Sequence, residues 1–251
     1  MMPLVRAEWA KLFSTRVWIG LLLGACLMVI GFAVLLTAFA GNPESGIPAV
    51  GTPLYEELAM ANAVNVNVLF LILGIIGMTQ EYRHRTATPT FLTTPHRGRV
   101  VTAKLMAYAL AATLFALVVM AVNFATVAVH AGARGAAPEL DADNLGTLGS
   151  SGLALVIYAV FGVGLGALLR NQVGAIVGGL VYLFVIEPII RQIPATSGAY
   201  KWMPGGALEA LTATFQGPEL LEPWQGGVLL LGYGLVAAVL GTFLAVRRDV
   251  A

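Results

Sequence analysis

From Val17 to Ala40 the chain runs 24 residues without a charged side chain. At about 1.5 Å of rise per residue, such a run exceeds the ~30 Å hydrocarbon core of a bilayer. Lipid offers no partner for a bare N–H or C=O, so an apolar run of this length that crosses it is a helix. Further apolar runs lie at about 58–79, 100–129, 148–169, 173–190 and 226–246. The composition agrees, since 58% hydrophobic and 11% charged residues with a mean hydropathy of +0.84 do not make a water-facing surface. The expected fold class is all-α: one polytopic transmembrane domain, residues 1–251, with six spans.

Two features near the start imitate export signals, Leu23-Gly24-Ala25-Cys26 and Ala38-Phe39-Ala40. The apolar run continues fourteen residues beyond Cys26, making it longer than the ~7–15 residues of a signal core, so an uncleaved first span is expected. A single cysteine excludes an internal disulfide framework and a zinc site of several thiolates.

Charge sorting sets the expected orientation. If the N-terminus, the 80–104 loop, the 170–172 turn and the C-terminus share one side, that side holds eleven of the fourteen Lys and Arg residues, and the other side holds ten of the thirteen acids. Cytoplasmic loops collect Lys and Arg, which puts both termini inside. The basic residues form no stripe along a groove-reading element, so no nucleic-acid partner is expected.

Between the spans, residues 2–15 place Leu4 or Val5, Trp9, Leu12 and Phe13 at helical spacing, with Arg6 and Glu8 turned elsewhere. This pattern predicts a short amphipathic helix lying in the interface, Trp9 at headgroup depth; a basic flank that merely orients the first span is the other reading. Span two carries Asn62, Asn65 and Asn67. On a helix the first two share a face and the third does not, and they either bond to neighbouring helices or line a cavity. Glycines 162, 164, 166, 174 and 178 allow close helix packing. Residues 191–225 form a longer polar and aromatic segment with a short helix expected around 207–214, and Trp18, Trp202 and Trp224 fit an aromatic belt.

The stretch from Glu81 to Lys104 is the only long polar segment on the basic side, with five of the fourteen Lys and Arg residues. Thr88 followed by Pro89 reads as an N-cap with proline at the first helical position, predicting a short helix over 89–93 that Pro95 stops. An acid among five cations adds nothing to orientation, so Glu81 is expected to have a partner, with Arg85 at i+4 the candidate. Glu187 is the one acid inside an expected span; either it pairs with Arg191 at i+4 or it meets a cationic substrate. The sequence has no G-x-x-x-x-G-K-[ST], no G-x-S-x-G and no H-E-x-x-H, and His84, His96 and His130 lack carboxylates at ligand spacing. No enzyme activity, metal or cofactor is expected of this chain alone.

The opening E-W-x-K-L-x-S-T-R of Glu8 to Arg16, followed by a span and then E-Y-R-H-R-T with downstream Leu92, Pro95, Arg97 and Ala103-Lys104, resembles the permease subunit of bacterial type-2 ABC exporters. Arg85 stands where many such permeases carry glycine. The resemblance implies a six-span partner of a separate ATPase, working as a homo- or heterodimer with two ATPase copies that bind the ATP and Mg. Its place would be the bacterial cytoplasmic membrane. It further implies that Glu81, Tyr82, Arg83 and Thr86 transmit ATPase movement, with Arg97 and Lys104 at the membrane boundary. Spans two and five would line the cavity between paired permeases, which makes Asn65, Phe70, Phe184 and Glu187 the candidates for its wall. The implied function is export of an amphipathic or hydrophobic drug, lipid or peptide. A partner-independent secondary transporter or channel, with Glu187 as an ion site, and a membrane scaffold or sensor are the alternatives.

Overall fold

A computed structural model describes residues 1–83, 97–193, 196–212 and 220–248. Among these the chain is all-helical. α1 is Met2–Ser14, α2 Val17–Phe39, α3 Pro53–Ala61, α4 Asn67–Arg83, α5 Arg97–Gly132, α6 Ala142–Leu169, α7 Gln172–Val181, α8 Glu187–Gln192, α9 Ser197–Tyr200, α10 Pro204–Thr212 and α11 Pro223–Arg248. Six stretches are long and apolar enough to cross a membrane: Val17–Phe39, Pro53–Arg83, Gly98–Gly132, Ala142–Leu169, Gln172–Gln192 and Pro223–Phe243. By length and composition the chain is a multi-pass membrane protein.

Local chemistry sets the helix ends. Thr52 accepts the Tyr55 N–H at 3.3 Å with Pro53 in the first turn of α3, and Asp141 accepts the Asn144 N–H at 2.8 Å at the start of α6. Both are side-chain N-caps. α6 ends on Arg170 in the left-handed conformation, φ 51°, and the next residue, Asn171, caps α7 by accepting the Gly174 N–H at 2.9 Å. A C-terminal stop and an N-terminal start on consecutive residues reverse the chain with no room for a loop.

α6 and the α3–α4 span form the buried centre, whereas α2 and α7–α8 sit at the periphery. α4 and α6 cross with their backbones in contact. A Cβ on Gly74 would lie 2.0 Å from the Ala159 carbonyl oxygen, and one on Gly162 would lie 2.1 Å from that of Leu71. This is small-residue packing of the kind that lets helices associate where water supplies no hydrophobic push.

Cross-contacts sort the helix termini into two ends. At one end Gly166 meets Met78 and Thr79, Arg170 Nη2 donates to the Gly241 carbonyl at 3.2 Å, and Lys104 reaches both Glu8 and Glu81. α1, the C-termini of α4 and α6, the N-terminus of α5 and the last turns of α11 therefore lie together. At the other end Thr37 and Tyr55 share a hydrogen bond of 2.7 Å, Arg134 Nη2 donates to the Ala38 carbonyl at 3.2 Å, and Asn144 Nδ2 donates to Glu56 at 3.1 Å.

Two spans are not continuous α-helix. A 3₁₀ turn, Asn62–Val66, joins α3 to α4, and a π turn, Tyr182–Ile186, joins α7 to α8. Departures of this kind leave backbone groups to be satisfied from outside the helix. Asn123 of α5 does so for span two, its Nδ2 donating to the carbonyls of Ala59 at 2.9 Å and Met60 at 3.3 Å.

α1 corrects one expectation. Its buried face is Val5, Glu8 and Leu12, so Glu8 lies on the apolar stripe and not away from it. The reason is that α5 brings an ammonium group to meet it.

Candidate functional site

Four charged side chains close a ring at the end of the bundle that holds α1. Lys104, with no exposed surface, donates to Glu8 Oε2 at 2.5 Å, to Glu81 Oε1 at 3.1 Å and to the Gly77 carbonyl at 3.3 Å. Lys11 donates to Glu8 Oε1 at 2.7 Å and to Glu81 Oε1 at 2.6 Å. Each cation touches both anions and each anion both cations. Charges taken out of water persist only when paired and hydrogen-bonded, and here the charges sum to zero. Lys11 is the partly open member. Burial works against its ammonium group, yet the hydrogen bonds and fields of Glu8 and Glu81 outweigh burial and hold its pKa above the ordinary value. The ring thereby bolts α1 to the end of α4 and the start of α5, the two helices that flank residues 84–96.

A groove of about 620 Å³ lies toward the opposite end, between α2, the 3₁₀ turn, the π turn and α10. Its apolar wall includes Phe32, Phe39 and Phe184, all substantially exposed. Its polar wall is Asn62, Asn65, Asn67, Thr212 and Glu209. The irregular turns of spans two and five thus contribute to one concavity, of the size small-molecule sites have.

Above the groove, α8, α9 and α10 form a cap. Arg191 Nη1 donates to Glu209 Oε1 at 2.6 Å, and its guanidinium lies 5.3 Å from the centroid of the Tyr200 ring. Burial, with the Glu209 carboxylate beside it, pushes the Tyr200 phenol well above its ordinary range. Glu187 is buried and accepts the Gly205 N–H at 2.9 Å. A carboxylate there complements the unpaired N–H groups in the first turn of α10. Any side chain at Gly205 would strike it, because a Cβ would lie 2.3 Å from Glu187 Oε2. The expected Glu187–Arg191 pair is therefore replaced: Arg191 turns to Glu209, and Glu187 holds the start of α10.

The sequence-derived candidates separate by location. Glu81 and Lys104 meet in the ring; Tyr82 is half-buried beside the core and Arg83 is exposed. Arg97 opens α5, its side chain outside the described atoms, and Thr86, Arg85 and the expected helix over 89–93 lie outside the described residues. Asn65 and Phe184 meet on the groove. Phe70 does not: it is buried in the core near Leu22, Leu73 and Phe115. Glu8 and Lys11 were missed as site residues. Their signal was the i, i+3 pairing of opposite charges beside an apolar stripe, and the missing half of it was Lys104, far along the chain. Asn123 was likewise missed, as a lone polar residue in a long apolar run with no local cue to its target. No protein-family model matches the chain, and no curated protein matches it.

Proposed function

We propose that the chain is the permease subunit of an ATP-driven exporter of the type-2 ABC kind, set in the bacterial cytoplasmic membrane with both termini inside. In this reading it works as a pair, with itself or a similar chain, alongside two copies of an ATPase subunit that binds the ATP and Mg. The cytoplasmic loop 80–99 docks on the ATPase, and α1 lies in the inner interface as an amphipathic helix. Movement of that segment is passed through the ring to α1, α4 and α5 together. The paired permeases then switch an amphipathic substrate, a drug, lipid or peptide, from inward to outward access.

The observation that carries this reading is the ring itself. All four of its members come from the two stretches, 8–16 and 81–104, that resemble such permeases, and they join the helices on either side of the proposed docking segment. A joint of buried, mutually paired charges is stiff, because sliding any helix leaves a charge unpaired at a cost of several kcal/mol. A stiff joint is what a push from a partner requires.

The test begins with the tagged chain purified in mild detergent, which is expected to bring down a soluble subunit carrying a phosphate-binding loop. In vesicles holding the complex, Glu81→Ala is expected to abolish ATP-driven transport while membrane insertion stays at the unmodified level. Transport at full rate by Glu81→Ala, or by the chain with no nucleotide-hydrolysing companion, removes the reading.

A further inference from the structure

The orientation of three amides decides what the groove can bind. Asn123 spends both amide hydrogens on main-chain carbonyls, those of Ala59 and Met60, which only accept. Its oxygen must therefore face Asn62, whose Nδ2 donates to it at 2.8 Å and to the Val29 carbonyl at 3.1 Å. The oxygen of Asn62 in turn takes the Nδ2 of Asn65 at 3.2 Å. The chain of bonds runs one way and is fixed by carbonyls at its buried end, so no amide in it can be turned around without setting two acceptors face to face. Its free end is the carbonyl oxygen of Asn65, an exposed residue on the groove wall. Successive bonds polarise one another, which makes that terminal oxygen a better acceptor than an isolated amide.

The rest of the lining points the same way. Among the described residues, Glu209 is the only charged one on the wall, and no Lys or Arg lines it. A carboxylate already holding Arg191 through Oε1 and the Tyr200 hydroxyl has about four lone-pair sites and so keeps room for a further donor. Phe32, Phe39 and Phe184 offer ring surface, which attracts cations as well as hydrocarbon. We infer that the groove takes a cationic amphipath, an ammonium group on an apolar tail, with the ammonium directed to Asn65 Oδ1 and Glu209 and the tail along the phenylalanines. This rests on the reading of the groove as a substrate site of the proposed exporter, and it narrows the substrate class to lipophilic amines.

The test uses the full-length chain in nanodiscs of zwitterionic lipid, with no ATPase present. Radiolabelled dodecylammonium is expected to bind saturably above the level of empty discs, displaced by unlabelled dodecylammonium and not by dodecyl sulfate of the same tail length. Asn65→Leu and Glu209→Gln are each expected to weaken binding about tenfold, the size expected for one hydrogen bond to a charged group. Glu57→Gln, an acid at the same end of the bundle that does not line the groove, is expected to leave binding unchanged. Equal displacement by dodecyl sulfate, or wild-type binding by both groove variants, overturns the inference. If a groove variant fails to fold, the charge selectivity of the unmodified chain decides the matter alone. Amine binding without any co-purifying ATPase would leave this inference standing and remove the exporter reading, whereas a co-purifying ATPase with no amine selectivity would do the reverse.

Discussion

Lys104 and Lys11 touch the same two carboxylates from different surroundings. Lys104 is wholly enclosed, whereas the Lys11 side chain is 38% exposed. Removing the enclosed cation strands two buried anions, so Lys104→Met is expected to lower unfolding stability in mixed micelles by about 3–5 kcal/mol. Lys11→Met is expected to cost less, about 1 kcal/mol, because the partly exposed Lys11 gives up a screened interaction and Lys104 still touches both carboxylates. A Lys104→Met effect no larger than that of Lys11→Met would contradict the ring. The pH dependence follows from the same contrast. The pKa of Lys11 is raised in the folded protein above the ordinary 10.5, so its contribution is whole below that value and is lost as pH rises through the higher folded one. The tether of α1 is therefore expected to hold through the neutral range and to loosen only in strong alkali, read as faster tryptic cutting at the exposed Arg6 and Arg16.

The helices show what is legible in such a sequence and what is not. Six apolar runs are plain because a bilayer demands length and hydropathy, and those are local properties. The short helix before the last span is expected around 207–214 and is found as Pro204–Thr212, its start set by a proline. The 3₁₀ and π turns are not announced: polar residues at 62, 65 and 67 lower the hydropathy of span two without saying that the helix breaks, and nothing in Tyr182–Ile186 marks a wider turn. Those turns depend on distant groups, Asn123 for one. The burial of Glu8 is hidden for a similar reason, since a carboxylate on an amphipathic helix belongs in water unless a cation from elsewhere meets it. The α4–α6 crossing gives a direct test. Gly74→Ala places a methyl against a main-chain carbonyl and is expected to cost about 1–3 kcal/mol. Gly149→Ala, with open space around it, is expected to be neutral or mildly stabilising. Equal effects would mean that the two helices are not in backbone contact.

For the molecule as a whole, the alternation of span ends and the sorting of charges point to one orientation. The end with the ring, Arg170 and the last turns of α11 is the basic one; the end with Glu56, Asp141 and Asp143 is the acidic one. In a Cys26→Ser background, Ala142→Cys is expected to react with an impermeant thiol reagent in intact cells, and Ala10→Cys only after permeabilisation; both positions are exposed. The reverse pattern would invert the topology and with it the proposed docking face. The ring also bears on how the chain is made. Glu8 and Lys104 stand 96 positions apart, so during synthesis the first helix must wait, unlatched, until the third span has emerged. A nascent chain stopped just short of Lys104 carries three members of the quartet and one unbalanced negative charge. Closure of the ring thus cannot precede the start of the third span, and before that moment the first helix is held by fewer charge contacts than after it.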